Sequence, residues 1–302
     1  MNGETVEHIP VLVNELAEHV NLPPDGVVVD ATIGQGGHSL LFGQNLGPEG
    51  VIVGLDVDTE SISRARFILK KLACRVILIH GNFARIHEHL HNRNIDKVDF
   101  IFADLGVSST QLADPQRGLS FQTNMPLDMR IDKRIRRTAA DIIKETDEKG
   151  LADLIYGYGG ERASRRIARF IVRSRRQAPI TTTTQLAAIV CRALGRTHPG
   201  KSRIHPATRT FQALRIAVND ELGNLAGMLD EAQPLLNKSG RIAVISYHSL
   251  EDALVKKDFK MNEKGGMYRV ITKKPIVASR REIAANRRAR SAKLRIAQKT
   301  ID

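Results

Sequence analysis

The sequence predicts an α/β protein in which a mostly parallel sheet is interrupted by a helical insertion. Two observations support this prediction. Strand-like and helix-like segments alternate over residues 27–104, and such alternation is typical of βαβ units in a parallel sheet. The strand pattern is then absent from 110–203 and returns at 241–246. One domain interrupted by an insertion is the simplest arrangement that accounts for both observations.

Four short apolar segments in the first part of the chain are predicted as strands. They are Val27–Asp30, Val51–Leu55, Arg75–Ile79 and Val98–Ala103. The second leads into Asp56 and the fourth into Asp104. A helix over His38–Asn45 follows the first strand, and Asp58 can cap another that runs to about Leu72. These elements give the alternation of a parallel sheet.

The insertion is predicted to be helical, and Glu161–Arg176 is its clearest helix. Residues of one face recur at helical spacing, whereas arginines occupy the other faces. The first face contains Ala163, Ile167, Phe170, Ile171 and Ser174, and the arginines are Arg162, Arg165, Arg166, Arg169, Arg173 and Arg176. A second helix is predicted over Thr184–Leu194.

The sheet pattern resumes in the last third of the chain. A long helix is predicted from Thr208 to about Leu236, followed by a turn at Lys238-Ser239-Gly240 and a fifth strand over Arg241–Ser246. Tyr268–Thr272 and Lys293–Ala297 are predicted to pair antiparallel at the sheet edge. The predicted domains are therefore 1–109 joined with 204–302, and the insertion 110–203.

The composition favours a polyanionic partner. The 302 residues carry a net charge of +13, and a surplus of this size attracts nucleic acid, with anionic membranes as the alternative. Cys74 and Cys191 lie far apart, so neither a disulfide framework nor a metal site is expected. No signal peptide or membrane-spanning run is evident. We therefore expect an intracellular, cytoplasmic protein.

A glycine-rich segment between the first strand and its helix predicts a cofactor site. It reads Gly34-Gln35-Gly36-Gly37-His38-Ser39, and glycines there let the backbone approach a ligand at the ends of the strands. The dinucleotide pattern GxGxxG is incomplete because Ser39 takes its third position. A carboxylate such as Asp56 can accept both ribose hydroxyls of NAD or of S-adenosylmethionine. An ordinary tight turn is the alternative interpretation.

The segment after the fourth strand offers a second candidate for chemistry. It reads Asp104-Leu105-Gly106-Val107-Ser108-Ser109, and Asp104 at a strand end can hydrogen-bond an exocyclic amine. The segment loosely resembles the (Asp/Asn)-Pro-Pro-aromatic motif of amino-methyltransferases, with Leu105-Gly106 in place of the prolines. A loop aspartate that satisfies local N–H groups is the alternative.

Taken together, the ordered motifs resemble the bacterial 16S ribosomal RNA cytosine-N4 methyltransferase family, known as MraW-like. The resemblance covers nearly the whole chain. Besides the two segments above, the motifs are His8-Ile9-Pro10-Val11-Leu12, Gln111-Leu112, Pro126-Leu127-Asp128-Met129-Arg130, His205-Pro206-Ala207-Thr208-Arg209-Thr210-Phe211-Gln212-Ala213-Leu214-Arg215, His248-Ser249-Leu250-Glu251-Asp252 and Arg288-Ala289-Arg290-Ser291-Ala292-Lys293-Leu294-Arg295.

The resemblance implies a Rossmann-like class I methyltransferase sheet with an inserted helical domain for substrate recognition. It implies methylation of the N4 amine of a cytidine in 16S ribosomal RNA of the small subunit. It also implies a set of contacts with S-adenosylmethionine. These are made by Gly36, Gly37, His38, Asp56, Phe83, Asp104 and Gln111. We expect Asp104 to be the catalytic proton acceptor as well, and the oligomeric state, with a homodimer as one option, stays open.

The chain also departs from the family pattern. Tyr247 stands where phenylalanine is usual, Ala253 where arginine is usual, and Arg288 where proline is usual. The segment Arg280–Arg290 is strongly basic, and we expect it to contact RNA. An NAD-dependent oxidoreductase and a non-enzymatic RNA-binding protein are the competing hypotheses: the first leaves the charge unexplained, and the second leaves the glycine segment and Asp56 unexplained.

Overall fold

The computed structural model describes residues 10–195 and 205–301. The chain divides into two compact units, each described here by itself. The first unit comprises the described parts of Met1–Gly106 and Leu222–Asp302, and the second is Val107–Glu221. Within the described ranges, no helix combines the length and the apolar character needed to cross a membrane.

The first unit is built around a twisted mixed sheet. Its strands are β1 Val27–Asp30, β2 Val51–Asp56, β3 Arg75–His80, β4 Val98–Asp104, β5 Leu236–Ser246, β6 Tyr268–Val270, β7 Ile276–Val277 and β8 Lys293–Lys299. Its helices are α1 Val13–Ala17, α2 Gly37–Gly43, α3 Thr59–Leu69, α4 Ile86–His91, α11 Glu221–Leu235, α12 Ser249–Lys264 and α13 Arg280–Ala285, numbered in chain order with those of the second unit. Two short 3₁₀ turns, Phe83–Arg85 and Arg287–Ser291, complete the described elements.

The strand order in the described part of the sheet is β3-β2-β1-β4-β5-β8-β6, and β7 also pairs with β8. The five strands from β3 to β5 are parallel, whereas β8 runs antiparallel to β5 and to β6. This is the Rossmann-like α/β sheet that the sequence predicts. The predicted antiparallel pair at the sheet edge is also confirmed, since Val270 pairs with Ala297.

The parallel strands are apolar on both faces because helices cover both sides of the sheet. Successive residues point to opposite faces. Accordingly, Val29 and Ile101 lie in one buried cluster with helix α11, while Val28 and Phe100 lie in another with helix α2. These unbroken apolar runs are what made the strands recognisable in the sequence.

The second unit is helical. It contains α5 Ser109–Ala113, α6 Ala139–Glu145, α7 Glu148–Gly159, α8 Ser164–Arg175, α9 Thr183–Leu194 and α10 Thr208–Asn219. The unit extends beyond the predicted end of the insertion at Arg203, because Phe211 and Leu214 of α10 are buried in its core together with Ile167 and Ile171 of α8. The second unit ends at Glu221.

Two predicted elements differ from the structure. The single helix predicted from Thr208 to Leu236 is two helices, because Asp220 adopts a left-handed conformation with φ of 47° and ends α10. The predicted turn at Lys238-Ser239-Gly240 lies within β5. Ser239 has a φ of 67° there, and the register against β4 shifts between Val98 and Phe100. The turn-forming residues therefore produce an irregularity inside a longer strand.

Candidate active site

Three aspartates lie at the carboxyl ends of three adjacent parallel strands. Asp30 ends β1, Asp56 ends β2 and Asp104 ends β4. Because β1 pairs with both β2 and β4, the three side chains meet at one edge of the sheet. Ligands of open α/β sheets bind at this edge. The sequence predicted roles for Asp56 and Asp104 but not for Asp30.

Asp56 is held by the glycine-rich loop. The N–H of Gly34 donates to its Oδ2 at 2.9 Å, and the N–H of Asp58 donates to its Oδ1 at 2.8 Å. Burial raises the pKa of Asp56 to about 7, although both backbone hydrogen bonds act in the opposite direction. Two donors therefore do not fully compensate this carboxylate for its loss of water, and it retains acceptor capacity for further donors.

The glycines of the loop are required by its backbone and by its packing. Gly34 and Gly36 have φ values of 50° and 86°, which favour glycine. A Cβ at Gly36 would lie 3.2 Å from Cγ of Leu69, and one at Gly37 would lie 2.5 Å from Cγ of Pro10. The close contacts at Gly36 and Gly37 are therefore made by Leu69 and Pro10 of this chain. Their contacts with a cofactor stay predictions.

His38 and Asp104 face each other across the edge. The Nε2 of His38 donates to the carbonyl oxygen of Val11 at 2.9 Å, because a carbonyl can only accept. Its Nδ1 lies 4.0 Å from Oδ2 of Asp104, and its ring packs on Phe102 with centroids 4.7 Å apart. The His38 side chain is buried and positioned by the protein itself, so its predicted contact with a cofactor involves the remaining Nδ1 or the backbone.

Asp104 is fixed at both its backbone and its side chain. Its N–H donates to Oγ1 of Thr32 at 2.6 Å, and its Oδ1 accepts from the N–H of Gly106 at 3.2 Å. The side chain is 16% exposed, so a ligand can reach it. A fixed, partly exposed carboxylate of this kind can accept a hydrogen bond from an amine.

Phe83 follows β3 in the first 3₁₀ turn. Asn82 fixes that turn, since its Oδ1 accepts from the N–H of Ala84 at 2.9 Å and its amide donates to Asn224 at 2.9 Å. The Phe83 ring is half-buried and packs against the core of the first unit. One side of the ring therefore packs in the core. The other side is an apolar surface on which an adenine ring can pack.

Comparison with known proteins identifies the family of this chain. The MraW methylase family matches the chain over residues 5–300. This chain belongs to that family. Ribosomal RNA small subunit methyltransferase H of Clostridioides difficile (strain 630) is 42% identical over 310 residues, which cover 97% of this chain and 98% of that protein. Proteins of the same name from Cyanothece sp. (strain PCC 7425) and Deinococcus radiodurans are 48% and 47% identical, over 97% and 98% of this chain and 94% and 90% of theirs.

Membership of a methylase family settles the class of enzyme. The chain is a methyltransferase, and the resemblance inferred from its motifs is confirmed. The alternatives of an NAD-dependent oxidoreductase and of a non-enzymatic RNA-binding protein are excluded. The incomplete dinucleotide pattern at Ser39 pointed in the same direction.

Ser39 and Asp30 form the part of the edge that sequence reasoning missed. The Ser39 hydroxyl donates to Oδ2 of Asp30 at 2.7 Å, and the N–H of Thr32 donates to Oδ1 of Asp30 at 3.2 Å. Asp30 is 1% exposed, and burial raises its pKa to about 6. The residue that breaks the dinucleotide pattern thus ties helix α2 to the end of β1. The available signal was an aspartate that directly precedes the glycine-rich segment.

Gln111 belongs to the second unit. Its side-chain oxygen accepts from the N–H of Ser108 at 3.0 Å, and its own N–H donates to the Ser108 hydroxyl at 3.1 Å. These reciprocal bonds form a capping box that starts α5. The side chain is buried. Gln111 therefore has a structural function in the loop after Asp104, and its contact with a cofactor stays a prediction.

Proposed function

We propose that this methyltransferase transfers the methyl group of S-adenosylmethionine to the N4 amine of a cytidine in 16S ribosomal RNA of the small subunit. The observation that carries the proposal is Asp104, a fixed carboxylate at the end of β4 whose acceptor oxygens suit an exocyclic amine. The names of the relatives, which are small-subunit ribosomal RNA methyltransferases, supply the class of substrate.

The donors and acceptors at the strand ends fit S-adenosylmethionine. Burial leaves the Asp56 carboxylate short of donors, and the two ribose hydroxyls would supply them. Phe83 would pack on the adenine, and Gly36, Gly37, His38 and Asp104 of the first unit would complete its part of the site. When bound, S-adenosylmethionine supplies a methyl group already activated by its sulfonium.

The task left to the protein is to position and activate the amine. The lone pair of cytosine N4 is delocalised into the ring, so N4 becomes a nucleophile only as it loses a proton. Asp104 would accept that proton, because its carboxylate is held in place by Gly106 and by the backbone bond to Thr32. Holding the reactants in the right geometry contributes up to roughly 7–11 kcal/mol in well-oriented systems.

Exposed arginines would hold the RNA. In the second unit, Arg165, Arg169 and Arg173 of α8 are exposed, while Ile167 and Ile171 on its other face are buried. In the first unit, Arg287 and Arg290 are exposed on either side of the buried Ala289. Guanidinium groups in water bind phosphates through charge, and the binding weakens with salt. The target base would leave its stack to reach a strand-end carboxylate.

The proposal is tested by identifying the methylated nucleoside. Purified protein is incubated with small ribosomal subunits or with 16S ribosomal RNA and methyl-labelled S-adenosylmethionine, and the RNA is digested to nucleosides for mass spectrometry. We expect label in N4-methylcytidine, and Asp104→Ala should reduce it strongly. Label confined to another nucleoside, or none on either substrate, would contradict the proposed function.

A further inference from the structure

Tyr247 reaches the same edge of the sheet as Asp104. Strands β4 and β5 are parallel neighbours, and Asp104 is paired with Ile245. Because parallel strands end at the same edge, the residues just after Ser246 continue past Asp104. Tyr247 is the first of them, and it lies outside the set of residues that the family resemblance implies for the cofactor.

The Tyr247 ring lies against Gly106, beside the Asp104 carboxylate. A Cβ at Gly106 would be 2.8 Å from Cε2 and 3.0 Å from Cζ of Tyr247, and 3.2 Å from Oδ1 of Asp104. The ring and the carboxylate therefore both lie beside Gly106, the residue of the segment that has no side chain. A larger residue at position 106 would separate them.

The Tyr247 hydroxyl lies beside that carboxylate, in a position to donate to it. Burial, followed by the charge of Asp104 and the hydrogen bond to it, raises the pKa of Tyr247 well above its usual range. Glu251 acts in the same direction and Arg288 in the opposite one. A hydroxyl with so high a pKa keeps its proton and can donate, and a carboxylate oxygen can accept.

The backbone of Tyr247 is fixed independently of Asp104. Its N–H donates to Oε2 of Glu251 at 2.8 Å, and Glu251 is 2% exposed. The same carboxylate takes part in the capping box that starts α12 at His248. Tyr247 is therefore held on a rigid helix start, with little freedom to move away from Asp104.

We propose that Tyr247 is a positioning residue for methyl transfer: its hydroxyl donates a hydrogen bond to Asp104 and holds that carboxylate in the orientation that accepts the proton of the target amine. The inference rests on the proposed function, which makes Asp104 the acceptor. With Gly106 and Tyr247 both donating, the carboxylate is oriented before the substrate arrives and need not reorganise during the reaction.

Tyr247→Phe tests the proposal, because it removes the hydroxyl and keeps the ring over Gly106. We expect kcat to fall about tenfold, as for the loss of one hydrogen bond to a charged group. We expect the KM for RNA and the calorimetric Kd for S-adenosylmethionine to stay within twofold of wild type. An unchanged kcat, or a change in KM or Kd alone, would overturn the proposal.

Tyr268→Phe is the matched control. Tyr268 lies in the same unit and is 2% exposed, and its hydroxyl has no hydrogen-bond partner in the described part of the chain. The same chemical change there should leave kcat at the wild-type value. An equal loss of kcat in both variants would show that removing any buried hydroxyl is enough, and would overturn the positioning role.

A spectroscopic measurement tests the contact without turnover. In protein labelled with ¹³C at tyrosine Cζ, Asp104→Asn should move the resonance of Tyr247 and leave that of Tyr268 in place. An unmoved Tyr247 resonance would overturn the proposal. If the wild-type protein methylates a position other than N4 of cytidine, the proposed function alone is contradicted. The effect of Tyr247→Phe on kcat can then still be measured with that product.

Discussion

The aspartates at the strand ends of the first unit differ in their surroundings from the arginine face of α8 in the second unit, which consists of Arg165, Arg169 and Arg173. At the strand ends, Asp30 and Asp56 are withdrawn from water, and each receives two hydrogen bonds of 2.7–3.2 Å. On α8, Arg165, Arg169 and Arg173 are exposed, and the ion pair of Arg169 with Glu148 is long at 3.7 Å and exposed. The hydrogen bonds at the strand ends fix the direction of each interaction, whereas the exposed charges on α8 do not.

The difference indicates which ligand each region suits. A buried carboxylate recognises hydroxyl or amine donors at fixed positions, and its effect depends on its own protonation. Exposed guanidinium groups act through a field that salt screens within about 10 Å at 0.1 M. We therefore expect a small polar ligand at the strand ends and a flexible polyanion on α8.

The largest effect is expected at Asp56. Asp56→Ala removes the acceptor proposed for the ribose hydroxyls, so the binding of S-adenosylmethionine should weaken by roughly 1.5–3 kcal/mol, which is more than tenfold. Calorimetry measures this directly. Asp96→Ala removes the same charge from an exposed position before β4 and should bind normally. Wild-type affinity in Asp56→Ala would remove the ribose assignment.

A tenfold effect is expected from pH. Accepting both hydroxyls requires the ionised form of Asp56, and burial raises its pKa to about 7. The affinity for S-adenosylmethionine should therefore increase about tenfold between pH 6 and pH 8. In Asp56→Asn, which cannot ionise, this increase should vanish, although Asp30 with its pKa of about 6 is still present. The same slope in both proteins would assign the titration to another group.

A smaller effect is expected at the 3₁₀ turn before β8. Replacing Arg287 and Arg290 with glutamine removes two exposed charges and leaves the buried Ala289 in place. The KM for ribosomal RNA should rise a few-fold with kcat unchanged, because binding common to the ground and transition states is lost. The melting temperature should stay the same. A large drop in melting temperature at constant KM would show that these arginines are structural.

A separate effect concerns stability without cofactor. Burial raises the pKa of Asp56 to about 7 in the folded protein, well above the ordinary value for an aspartate, so folding favours the protonated form. The free energy of unfolding should therefore decrease as the pH rises from about 4 to about 7. Asp56→Asn should show a shallower decrease by thermal melting. A steeper decrease in the variant would contradict this sign.

The sequence was sufficient for the sheet and for part of the site. Unbroken apolar runs such as Val27–Val29 predicted the parallel strands, and the strands that end at Asp56 and Asp104 lie where they were expected. These features are local, since a strand end and the residue after it are adjacent in the chain.

The features that were missed depend on contacts between distant segments or on single backbone angles. The ring of Tyr247 lies beside Asp104 only because β4 and β5 are neighbours, and no pattern in either segment indicates this. The break between α10 and α11 depends on one left-handed residue, Asp220, which is polar and otherwise compatible with a continuous helix. The extent of the second unit depends on which core buries Phe211.

The contrast between the two regions can be tested with one pair of variants. The first carries glutamate at Arg165, Arg169 and Arg173, whose side chains are exposed on α8. The second is matched in charge and carries glutamate at three exposed lysines of α12, which are Lys256, Lys257 and Lys260.

The most direct measurement is the affinity for ribosomal RNA of wild type and both variants as a function of salt, with the Kd for S-adenosylmethionine measured alongside. We expect reversal of the α8 arginines to lower RNA affinity and to reduce the slope of log affinity against log salt by roughly two to three units, about 0.7–0.9 for each phosphate contact. The Kd for S-adenosylmethionine should be unchanged, and the α12 variant should keep the wild-type slope. An unaltered slope in the α8 variant, or an equal reduction in both variants, would contradict the assignment of RNA to the arginine face.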